Sequence, residues 1–298
     1  MLFSVGAGFI LPYEVFLFSY AILGPAHYLT QISWMHDRQY FTTGKYDWIL
    51  LCAAVILAFA ASSTDRDIAF FTLIGLGSAV GMVFFKTIQK KVLLVFGLFL
   101  TAFLASRFSG VEIFLSVLLP TVIHVFIFTG AFILLGALRS RSLSGLVSFA
   151  VFLGCAIFPF VFRWGADQYE ISPFGLDATA PFNKLQSFLV SFLDLNQSKQ
   201  ASVIVMRFIA FAYTYHYLNW FSKTKVIGWN DISRDRLVVI VVLYFCFIGL
   251  YLKSYILGYT AVLFLSVLHV FLEFPLNIRS FVDIGKTLRT IQSSGWTR

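Results

Sequence analysis

The sequence predicts an all-α protein built as a polytopic membrane bundle of about nine transmembrane helices. Three observations carry this. Of its 298 residues, 59% are apolar and only 12% are charged, against roughly 25% charged in ordinary soluble domains. The mean hydropathy is +0.85. The apolar residues fall in long runs between short polar breaks, and a helix needs roughly 20 such residues to cross a bilayer. A soluble core of this size cannot hide that much apolar surface, because charge must cover its outside. A soluble enzyme, a disordered tail, a disulfide scaffold and a nucleic-acid module are thereby excluded. The net charge of +8 does not revive the last of these. The basic residues lie in the loops between apolar runs, where membrane topology puts them.

Nine segments qualify or nearly do: about 8–32, 47–63, 68–85, 91–106, 111–137, 144–164, 201–222, 236–253 and 255–276. The first holds Pro12 and Glu14 and has no basic leader, so it reads as a retained span and not as a cleaved signal. The breaks include HDRQYFTTGKYD (36–47), STDRD (63–67), KTIQKK (86–91), RSRS (139–142) and SKTKVIGWNDISRDR (222–236). The break at Lys253 and Ser254 is weak. The loops after odd-numbered spans, taken with the C-terminal tail, hold 15 of the 22 Lys and Arg residues, from Arg38 through Lys223 and Lys225 to Arg298. That excess places the N-terminus outside and the C-terminus in the cytoplasm.

The whole chain, 1–298, reads as a single membrane domain with a long external loop at 165–200 and a basic cytoplasmic tail at 279–298. Within the loop, PFNKLQSFLVSFLDLN (181–196) puts Phe182, Leu185, Phe188, Leu189 and Phe192 on one helical face. Asn183, Lys184, Gln186 and Ser187 take the other. Such a helix either lies in the membrane interface or packs as a lid on the bundle. Cys52, Cys155 and Cys246 fall inside apolar runs and read as small core hydrophobes.

Four of the five histidines sit inside spans: His27, His124, His216 and His269, on spans one, five, seven and nine. Under the topology above these four spans run in the same direction. His27, His216 and His269 precede the next cytoplasmic basic or loop residue by nine, seven and ten positions. At about 1.5 Å per residue they share a depth. His124 lies deeper, on a long span that Pro120 can kink. Ionisable groups in a membrane are costly and face the bundle interior. Neutral imidazole is the commonest metal ligand, so four at similar depth suit one iron, copper or zinc ion. Tyr213 and Asn219 lie three residues either side of His216, and Glu273 lies one turn after His269. Each is a candidate to orient an imidazole, and Glu273 also to ligate or to reach the interface. His36 reads as a solvated loop residue. Arg207, inside span seven, calls for an acidic partner in the external loop. No phosphate loop, Ser-His-Asp signature or Cys-rich metal motif occurs in the sequence.

At its histidine segments the chain resembles the Brp/Blh-type membrane β-carotene 15,15′-dioxygenases, bacterial and archaeal proteins associated with retinal production. LGPAHYL (23–29) is similar to that family's motif late in the first span. FAYTYHYLNW (211–220) and VLHVFLEFP (267–275) are similar to its later histidine segments. The family's first motif usually continues His-Gly-x-x-Asp, whereas here His27 is followed by Tyr28, Leu29, Thr30 and Gln31. The resemblance implies one Fe(II) held by His27, His124, His216 and His269, and oxidative cleavage by O2 of a hydrophobic substrate taken from the lipid bilayer. It also implies a prokaryotic cytoplasmic (inner) membrane. Two other readings of the same histidines stay open: axial ligands of haem in a b-type cytochrome, and proton relays or packing contacts in a transporter-like protein.

Overall fold

A computed structural model describes residues 1–61, 65–105, 107–223, 228 and 232–296. Ser63, Thr64, Lys225 and Arg298, all used in the topology reading above, lie outside the described residues. Every regular element among the described residues is helical. In chain order these are α1 (Leu2–Ile10), α2 (Pro12–Phe18), α3 (Gly24–His36), α4 (Asp47–Ala61), α5 (Asp65–Phe84), α6 (Ile88–Ala105) and α7 (Ser109–Ile113). There follow α8 (Thr129–Ser140), α9 (Leu143–Val161), α10 (Pro173–Thr179), α11 (Asn183–Phe192), α12 (Lys199–Phe221), α13 (Arg234–Lys253) and α14 (Tyr255–Ser294). Two π-helical stretches, Ser19–Leu23 and Phe114–Phe128, join α2 to α3 and α7 to α8.

Six helical stretches among the described residues are long and apolar enough to cross a membrane: Asp67–Phe84, Ile88–Ala105, Gly110–Ser140, Leu143–Val161, Arg234–Lys253 and Tyr255–Ser293. The chain is an integral membrane protein of the helical class. The other three expected spans differ for separate reasons. Span 8–32 is broken at Leu11 (φ −128°, ψ 64°), because Pro12 lacks an N–H and starts a new helix at its fixed φ. α4 has 15 residues, about 22 Å of helix against a hydrocarbon core of about 30 Å. α12 has 23 residues but carries too many polar groups to read as a span by hydropathy.

The chain forms two compact units, Met1–His27 with Leu143–Val262, and Tyr28–Ser142 with Leu263–Arg298. In the first unit α12 is the central element. α1, α2, α9 and α11 pack on it, and every residue from Val203 to Tyr217 is buried. A helix that faces protein instead of lipid needs no apolar coat, which is why α12 tolerates its tyrosines, Thr214, His216 and Arg207. The expected acidic partner of Arg207 is replaced by a carbonyl and a ring. Its Nη1 donates to the Trp164 carbonyl at 3.0 Å and its guanidinium lies 3.8 Å from the centre of the Phe9 ring. The helix expected within 181–196 is α11. It packs on α12 with Leu185, Leu189 and Val190 buried, while Phe192 is exposed. Gln186, expected on the polar face, turns inward and donates to Tyr13 Oη (3.0 Å) and the Ser202 carbonyl (2.9 Å). By contrast, α13 buries only Ile240; its outward apolar face is what lipid requires.

In the second unit α5 is the hub, contacting α4, α6, α7 and the π-helix Phe114–Phe128. Gly75 on α5 has no room for a side chain, since a Cβ there would stand 2.6 Å from the Phe271 ring. The missing side chain lets α14 approach closely near His269. Lys91 and Asp47 form a buried ion pair at 2.6 Å, and the Gly44 N–H also donates to Asp47. α14 is 40 residues long, about 60 Å, and runs unbroken past residue 279, where the sequence suggested a separate tail. Its Asp283 pairs with Arg139 at the half-exposed end of the unit. Cys52, Cys155 and Cys246 are free thiols; Cys155 is buried and Cys246 is exposed.

Candidate metal centre

Each π-helical stretch delivers a histidine. A proline inside a helix removes one backbone donor and drives its ring at the carbonyl four residues back. Pro25 aims at Ala21 within the π turn Ser19–Leu23, and Pro120 at Ser116 within the π-helix Phe114–Phe128. The wider winding relieves both contacts, and such segments recur at functional sites. Thr121 Oγ1 donates to the Val117 carbonyl and so satisfies one acceptor in the disturbed turn. His27 follows the first stretch by four residues. His124 lies inside the second, is buried, and meets Phe128 edge-on with ring centroids 6.0 Å apart.

In the second unit His124 Nε2 lies 3.0 Å from His269 Nε2, and both rings are buried. Glu273, one turn after His269, places Oε2 3.7 Å from His124 Nε2. The ligand atoms of His124, His269 and Glu273 all lie within 4.8 Å of one another. An ion with bonds of about 2.0–2.2 Å holds its ligand atoms about 3.0–3.5 Å apart, so small side-chain shifts would seat one. Gln31 Nε2 donates to Glu273 Oε2 at 2.5 Å. The Tyr28 ring stacks on His269, with centroids 4.3 Å apart and planes at 26°. In the first unit His27 and His216 face each other, again with Nε2 atoms 3.0 Å apart. Tyr217 and Trp220 lie 5.2 and 5.6 Å from the His27 ring.

His27 thus meets His216 in the first unit, and His124 meets His269 in the second. Glu273 belongs to the pair in the second. Tyr213 and Asn219 occupy other places: Tyr213 packs edge-on against Phe16 at 5.2 Å, and Asn219 Oδ1 accepts from Tyr215 Oη at 3.5 Å. His36 ends α3 and is exposed. Glu14 accepts from Tyr169 Oη at 2.6 Å. A groove of 460 Å³ between Phe85 and Thr101 lies along α6, and the histidines take no part in its lining.

Two residues of the centre escaped the sequence reading, Gln31 and Tyr28. Gln31 had one available signal: it is an amide one turn after His27, inside an expected span. The stripe His269, Glu273, Asn277, at four-residue intervals on one face of α14, is the matching signal on the other helix. Compared with known proteins, the chain matches no family model, no curated protein and no solved structure.

Proposed function

We propose that this protein is a non-haem iron oxygenase of the membrane, cleaving a double bond in a lipid-soluble, carotenoid-like or other polyene or isoprenoid substrate. The observation that carries the proposal is the buried His124–His269–Glu273 cluster. Two imidazoles and one carboxylate form the donor set of many Fe(II) oxygenases, a set that leaves positions open for other ligands. Iron bound there would supply the activation of O2. His124, His269 and Glu273 would hold it, Tyr28 fixes the plane of the His269 ring, and the apolar surroundings keep water out. The resemblance to the carotene dioxygenases implies a part for His27 and His216 as well, and it is read by substituting each.

Cleavage of one C=C by one O2 gives two carbonyl products, one oxygen atom to each, and needs no external reductant. An outside N-terminus, a cytoplasmic C-terminus and a prokaryotic cytoplasmic membrane complete the proposal. Its support is the 15-to-7 division of the basic residues. The test is to reconstitute the purified protein anaerobically with Fe(II), add β-carotene in micelles, and admit O2. The proposal expects loss of polyene absorbance with matching O2 uptake and appearance of aldehyde. Iron that binds without O2 uptake, over a panel of polyenes, would overturn the oxygenase assignment.

A further inference from the structure

We infer that Gln31 is a positioning residue that holds Glu273 as a one-oxygen metal ligand. This inference rests on the metal reading of the same cluster. Glu273 is fully buried, so its carboxylate is fixed only by what touches it. Gln31 Nε2 donates to Oε2 at 2.5 Å, from a side chain that is itself 3% exposed. The opposite oxygen, Glu273 Oε1, has no hydrogen-bond partner, and neither has Gln31 Oε1. Asn277, one turn further along α14, likewise leaves both atoms of its buried amide without a hydrogen bond, so three side chains carry orphaned polar atoms here, acceptors outnumbering donors. Leaving such atoms unsatisfied is expensive, and a cation relieves an acceptor deficit directly.

The amide does two things at once. It takes one lone pair of Oε2, the oxygen that lies 3.7 Å from His124 Nε2, and so fixes the direction of the lone pair left for a metal. It also prevents the carboxylate from swinging to chelate with both oxygens. Carboxylates that ligate metals are generally anchored through such hydrogen bonds, and the anchors matter nearly as much as the ligands. The two partners are 242 positions apart in the chain, so the contact is set by tertiary structure and not by one helix.

The test uses Co(II) as the probe, followed by its visible absorption in the detergent-solubilised full chain. Gln31→Met keeps the bulk of the side chain and removes the donor. The expected result is Co(II) affinity weakened by roughly 10- to 100-fold, with a changed visible band as the freed carboxylate chelates. In the Glu273→Gln background the same substitution should cost nothing more, because Gln31 acts through Glu273. Gln31→Asn, which shortens the reach, provides the second variant should Gln31→Met fail to fold, and should weaken binding in the same way. An unchanged spectrum and affinity in a folded Gln31 variant, with the parent protein binding Co(II), overturns this inference alone. So does an equal loss on both backgrounds. A parent protein that binds no Co(II) overturns it together with the metal reading.

Discussion

His124 and His269 stand 145 positions apart in sequence, yet their Nε2 atoms are 3.0 Å apart inside the second unit. Two neutral imidazoles can share that distance only if one donates a proton to the other, which requires opposite tautomers. A metal ion takes both nitrogens as acceptors and needs no such asymmetry. The same holds for His27 and His216 in the first unit.

Metal should therefore stabilise the protein, and removing a ligand should abolish the effect. A ligand that binds only the folded state at 100 times its Kd contributes about 2.7 kcal/mol. The thermal midpoint in detergent is expected to rise on adding Fe(II) under anaerobic conditions and to fall on adding a chelator. His124→Ala and His269→Ala are expected to melt at one temperature in both conditions.

Glu273→Gln should separate the carboxylate's charge from its shape. The amide fills the same volume and can still meet Gln31, so the metal-free protein should keep its fold by circular dichroism. Metal affinity should drop by an order of magnitude or more, because an anionic donor becomes neutral. An unchanged dissociation constant for Co(II) would remove Glu273 from the ligand set.

The Lys91–Asp47 pair anchors α6 to the start of α4, with both side chains 10% exposed. Removing one charge leaves the other buried, which costs about 3–5 kcal/mol. Lys91→Met should lower unfolding stability by that order, and the double variant Lys91→Met with Asp47→Leu should recover part of the loss. Both are read by denaturant unfolding in micelles.

Tyr169 lies in the loop between α9 and α10 and donates to Glu14. Burial, first, and the hydrogen bond to Glu14, second, raise its pKa above the ordinary value of 10.0. A raised folded pKa means that the unfolded chain loses this proton first as pH rises. The folded state then binds more protons above about pH 10 and is destabilised as pH increases. Tyr169→Phe should flatten the alkaline fall in thermal midpoint and leave the midpoint at pH 7 close to that of the parent.

The helical membrane class was legible from composition, and the polar groups of the second unit's cluster stand out in apolar stretches. Ser254 shows how far a weak signal goes: its extended backbone (φ −160°, ψ 126°) does separate α13 from α14 as expected. α12 shows where hydropathy fails, because a helix walled by protein is free to be polar. The break at Pro12 was legible in principle, since proline marks a helix start as readily as a kink. The Gln31–Glu273 contact was not legible. Its partners lie on different helices, and only the packing of the second unit brings them within hydrogen-bonding distance.

Elemental analysis of the purified, detergent-solubilised protein tests the central claim most directly, comparing the parent chain with His269→Ala. The account predicts about one iron per chain in the parent after anaerobic loading, and close to none in the variant. A parent that retains no metal, or a variant that retains as much as the parent, would contradict it.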